Sequence, residues 1–104
     1  MKIQFNTDKN IEGHERLEAF FTTELEKNLV RFQDKVTRFE VHLGDENSEK
    51  YSVDDKRCMI EARPAGLNPV AVTAHSDSIE KAFFLASDKI KKALTTVFEK
   101  QKVH

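Results

Sequence analysis

Apolar residues recur along this chain at two spacings, and the order in which those spacings alternate restricts the fold more than any other feature. Residues 2–6 alternate, with Ile3 and Phe5 on one side and Lys2, Gln4 and Asn6 on the other, the pattern of a half-buried strand. Residues 6–13 read as a turn. From His14 the period lengthens: Leu17, Phe20, Phe21, Leu25, Leu29 and Phe32 lie three and four residues apart, one stripe of an amphipathic helix. Alternation returns over 37–43, where Phe39, Val41 and Leu43 oppose Arg38, Glu40 and His42, and again over 57–63, where Cys58, Ile60 and Ala62 share a side. Between them, residues 45–55 are polar and read as a mobile hairpin connection. Pro64, Gly66 and Pro69 then predict a turn, and Val70, Val72 and Ala74 a fourth strand over 70–75.

The last change of period begins at Asp77, which with Glu80 predicts a capping box. Ile79, Phe83, Ala86, Ile90, Leu94 and Val97 follow at helical spacing nearly to the end. The predicted order is β-α-β-β-β-α. Two helix stripes and one apolar sheet face imply an α+β fold, a four-stranded sheet with both helices packed on one face. At 104 residues and 38% hydrophobic content, residues 1–104 are expected to form a single domain. No internal repeat or low-complexity linker divides them.

Apolar runs are far shorter than the roughly 20 residues that span a bilayer, and residues 1–10 contain no signal-peptide core, so a cytoplasmic protein without a membrane partner is expected. The lone Cys58 lies inside a strand pattern, as a small packed hydrophobe does. No Gly-rich phosphate loop, nucleophile elbow or Cys/His pairing occurs, so neither enzyme chemistry nor a cofactor is expected. His42 and His75 are not joined by a third ligand at any familiar metal spacing.

Charge is distributed unevenly although the formal net value is −1. Residues 78–104 hold six Lys against Glu80, Asp88 and Glu99, whereas 11–32 hold five Glu against Arg16, Lys27 and Arg31. On a helical projection Lys81, Lys89, Lys92 and Lys100 occupy a sector of about 100° opposite the apolar stripe. Such a ridge tracks phosphates as point charges, or serves simply as a solvated face. Arg38, His42, Arg57, Arg63 and His75 fall on the open side of the sheet with Glu40 and Glu61, a mixture typical of cross-strand pairs. That side lacks the aromatic platform used by single-strand binders.

Four stretches, IQFNTDKNIE, LEAFFTTELEKNL, RFQDKVTRFEVHL and SIEKAFFLASDKIKKAL, combined with the element order, resemble the ribosome hibernation-promoting factor and ribosome-associated inhibitor A family. The resemblance implies a double-stranded RNA-binding-domain-like fold and a partner, the small ribosomal subunit, whose mRNA and tRNA channel the protein blocks. It implies rRNA contacts at Lys27, Lys89, Lys92 and Lys100, with Lys91 as a neighbouring candidate. Glu18, Glu24, Thr96 and Phe98 stand where the family tends to be basic, and Glu80 where an aromatic is common. The chain ends soon after the last helix, without the carboxy-terminal dimerisation domain of the long family form, so a monomer off the ribosome is expected.

Two other classes fit the same residues. A protein-interaction or regulatory module on this fold, with rRNA binding lost, accounts for Glu18, Glu24 and the net charge. A general double-stranded RNA binder is the third, although the basic cluster it needs at the start of the final helix has only Lys81 here.

Overall fold

The computed structural model describes residues 1–8, 11, 13–45 and 55–102, with side chains to residue 100. The elements follow the order that the two periods predict. They are β1 (Ile3–Thr7), α1 (His14–Asn28), a 3-10 turn (Val30–Phe32), β2 (Val36–Asp45), β3 (Lys56–Pro64), β4 (Val70–Ser76) and α2 (Ile79–Lys102). The hairpin connection expected over 45–55 lies outside the described residues at 46–54.

Sheet order is β1-β2-β3-β4. The first two strands are parallel, pairing Ile3 with Phe39 and Thr7 with Leu43, because α1 carries the chain back to the starting edge. The later pairs are antiparallel, since only short connections join them. Between β3 and β4 the Leu67 N–H donates to the Pro64 carbonyl at 3.2 Å. This turn places Gly66 at its third position with φ +75°, a conformation that costs glycine least.

Both helices cover the face that carries Phe39, Val41, Leu43, Cys58, Ile60 and Ala62, all buried. Phe21 of α1 and Phe83 of α2 stack at 4.0 Å between centroids and 9° between planes, and neither ring is exposed. Fully burying one such side chain is worth about 1.5–3 kcal/mol. A polar pin lies beside the stack, where the Asn28 side-chain amide donates to Ser87 Oγ at 2.7 Å and to its carbonyl at 3.3 Å.

Two local features differ from the sequence pattern. The stripe through Leu29 and Phe32 predicts one continuous helix, but α1 stops at Asn28 and the 3-10 turn carries Phe32 inward. A three-residue spacing satisfies either geometry, and the Phe32 N–H bonds to the Leu29 carbonyl at 2.9 Å. At α2 the capping side chain is Ser78 rather than Asp77: Ser78 Oγ accepts from the Lys81 N–H at 3.1 Å. Asp77 instead accepts from the Ser76 hydroxyl at 3.2 Å and lies 3.4 Å from Lys81 Nζ.

Candidate nucleic-acid interface

The long helix sets the geometry. With Phe83, Ala86, Ile90 and Leu94 fully buried, Lys92 lies on the solvent crest of α2. Lys89 and Lys100 fall about 60–80° to one side of it and Lys91 about 100° to the other. Lys89 Nζ donates to the Thr73 carbonyl on the edge strand β4 at 2.8 Å, which fixes that flank as the sheet-edge side. Lys91 is half-buried, and its carbonyl accepts from the Thr95 hydroxyl at 2.8 Å. Thr95 also receives Arg31 from the turn after α1, at 3.4 Å, so Lys91 faces the first helix. Lys91, Lys92 and Lys100 have no ion-pair partner among the described residues. The lysines therefore form a spread along α2 rather than one cluster.

Lys27, near the end of α1, borders a groove shared with α2 and lined also by Glu24, Asn28, Phe84, Ser87 and Asp88. Its ammonium lies 3.6 Å from Glu24 Oε2. Glu18 is also engaged, accepting from the Thr7 hydroxyl at 2.7 Å and lying 3.6 Å from His14 Nδ1. That carboxylate ties α1 to β1, a structural use for an acid where the resemblance implies a base.

On the open side of the sheet, register brings Arg38, Glu40 and His42 of β2 beside Arg57, Glu61 and Arg63 of β3. Glu40 is the centre: Arg38 Nη2 lies at 2.7 Å, His42 Nε2 at 3.7 Å and Arg63 Nη2 at 3.9 Å, while Arg63 also lies 3.3 Å from Glu61. Arg38 and Arg63 are thus committed to carboxylates rather than convergent on a backbone. His42 and His75 sit on β2 and β4 with β3 between, and their partners on β3, Met59 and Arg57, are two residues apart, so the two backbones lie about 12 Å apart.

Sequence reasoning missed the cations at the far end of the helix layer. Arg31 lies over the Phe32 ring at 4.9 Å and Lys35 over the Phe98 ring at 5.2 Å, with Phe32 and Phe98 stacked at 5.7 Å. The signal available was the Phe32 and Phe98 pair, whose contact draws the intervening turn onto α2. Phe98 is thus occupied in packing, and Lys35 supplies a charge beside it.

Residues 5–102 match the family described as sigma 54 modulation protein / S30EA ribosomal protein. The chain belongs to that family. It is the hibernation-promoting factor family that the four quoted stretches resemble. No curated protein sequence matches the chain. Among solved structures, this S30EA-family chain is similar to the N-terminal domain of Protein Y from Thermus thermophilus. The TM-score there is 0.73 at 18% identity, over 93% of this chain and 99% of that one. It is also similar to a ribosomal subunit interface protein from Coxiella burnetii, with a TM-score of 0.68 at 19% identity, over 95% of this chain and 99% of that one. At such identities the likeness is one of fold, and it agrees with the β-α-β-β-β-α order. Within the S30EA fold of this chain, Thr96 is exposed and Phe98 half-buried, both at positions where the resemblance leads one to expect bases.

Proposed function

We propose that this S30EA-family protein binds the small ribosomal subunit in the channel for mRNA and tRNA and silences translation by obstruction. Lys27, Lys89, Lys91, Lys92 and Lys100 meet rRNA phosphates, and no bond is made or broken. The family match over residues 5–102 carries the reading. The ammonium groups of Lys91, Lys92 and Lys100, which have no ion-pair partner among the described residues, support it, since such a charge surrenders none of those contacts on docking.

Co-sedimentation of the purified chain with small subunits from its own source, across a salt series, tests the proposal. The expected result is saturable binding near one per subunit that weakens steeply with salt, and a loss of at least about tenfold in the Lys89→Glu/Lys92→Glu variant. Absence of binding at low salt overturns it. Glu24, which places an acid beside Lys27 in the groove between the helices, favours a protein-interaction module as the second reading. Recovery of one stoichiometric non-ribosomal protein, free of rRNA, would establish that one.

A further inference from the structure

Among the described residues, the most exposed aromatic surface lies in the helix layer, not on the sheet. Phe20 of α1 is 46% exposed and Phe84 of α2 41%, and their rings meet edge to face at 6.2 Å and 79°. Leu85 beside them is 49% exposed. Each ring of the corner adjoins a buried one. Phe20 lies 5.8 Å from buried Phe21, and Phe84 lies 5.3 Å from buried Phe83. Folding leaves these rings half in water, so their apolar surface is available to a ligand.

Charges around the corner indicate which ligand. Lys81, whose exposed ammonium lies 3.4 Å from Asp77, comes about one turn before Phe84 and Leu85 on α2 and Lys92 about two turns after them, the two lysines standing about 16 Å apart along the axis. Lys27 borders the groove on the α1 side, where it holds Glu24. An aromatic surface between cations is the arrangement that single-stranded RNA requires, with a base against a ring and phosphates on the lysines. Asp88, which lines the groove with Phe84, supplies an acceptor for a base amino group or a ribose 2′-hydroxyl. Size points the same way: three side chains make a spot suited to a single base, far below the roughly 800 Å² per side of a stable protein interface.

We infer that the Phe20 and Phe84 corner receives an unpaired RNA base, by stacking, when the protein docks. The inference rests on the proposed ribosome binding and adds a contact that salt does not screen. One ring on one base contributes about 1–3 kcal/mol, or roughly 5- to 150-fold in affinity.

A tryptophan reporter tests it in the full chain. Phe84→Trp is titrated with a single-stranded RNA decamer of mixed adenosine and cytidine, and the expected result is saturable quenching of indole fluorescence. Adding Phe20→Leu to that background, which keeps apolar volume and is checked by circular dichroism, weakens binding about tenfold. Phe20→Leu/Phe84→Leu loses a similar factor on small subunits with an unchanged salt slope, because no phosphate contact is removed. The decamer titration decides the inference: no quenching overturns it, as does quenching by a mixture of ribosomal proteins but not by RNA. Quenching by the decamer without sedimentation of the wild-type chain on subunits rejects the ribosome reading alone. Normal sedimentation with an unquenched indole rejects the stacking alone.

Discussion

Cys58 sits in the middle of the sheet, opposite Leu43 on one neighbouring strand and Ala74 on the other, and burial pushes its thiol up to about 12. A thiol that stays protonated and enclosed does not act as a nucleophile. An aromatic disulfide reagent at pH 8 should therefore modify Cys58 only at the rate of global opening, and at once in denaturant. Prompt reaction with the folded chain would contradict the packing. The alternation around Cys58 already told this much, but at the start of α2 the sequence was ambiguous. Asp77 and Ser78 are both good caps, and only the hydroxyl at the second position reaches the Lys81 N–H. Ser78→Ala should cost about 1 kcal/mol in chemical denaturation, as loss of an N-cap usually does. Asp77 acts differently. Its carboxyl is held below the usual 3.8 by the Ser76 hydroxyl first and Lys81 second. A depressed carboxyl stabilises above its unfolded value and ceases to do so as pH falls through its folded value. Asp77→Asn should thus lessen the pH dependence of stability below about pH 4 and leave stability at pH 10 no higher than that of the wild type.

Element type and order were legible because β2, β3 and β4 each alternate over three apolar positions, β1 over two, and each helix carries its stripe through several turns. Element ends were less so, since Leu29 and Phe32 fit an α-helix and a 3-10 turn equally. The lysines of α2 were legible as a sector, yet their separation into a sheet-edge flank and a flank toward α1 depends on Thr73 and Arg31, which are remote in sequence. The aromatic corner escaped notice for a related reason: the apolar stripe of α1 absorbs Phe20, which the structure leaves exposed beside buried Phe21, and Phe84 falls outside the stripe of α2, next to Phe83. Their burial separates them energetically. Phe83→Ala removes a fully buried ring from the stack between helices and should cost about 3–5 kcal/mol, whereas Phe84→Leu should change stability by less than about 1 kcal/mol. Urea unfolding followed by far-UV circular dichroism measures both. Equal losses would mean that Phe84 belongs to the core and would remove the exposed corner on which the proposed base stacking depends.

For the molecule as a whole, a formal net charge of −1 means that no long-range attraction draws it to a polyanion, so the proposed binding to rRNA has to come from local contacts. The salt dependence counts those contacts. Five lysines each neutralising a phosphate give a slope of log affinity against log salt near −4, at about 0.7–0.9 per contact. Two of the five have internal commitments: Lys89 to the Thr73 carbonyl and Lys27 to Glu24. If both keep them on the ribosome, only Lys91, Lys92 and Lys100 contribute, and the slope falls to roughly −2 to −3. Single substitutions separate the two cases. Lys92→Ala should reduce the slope by just under one in either case, because its ammonium has no partner among the described residues. Lys89→Ala should do the same only if the ammonium leaves the β4 edge for a phosphate. A slope that Lys89→Ala leaves unchanged would mean that this lysine belongs to the fold, blunting the open edge of β4, and that the rRNA-facing charge lies on the crest of α2 and its flank toward α1. A slope near zero in the wild-type chain would remove the lysines from the interface altogether.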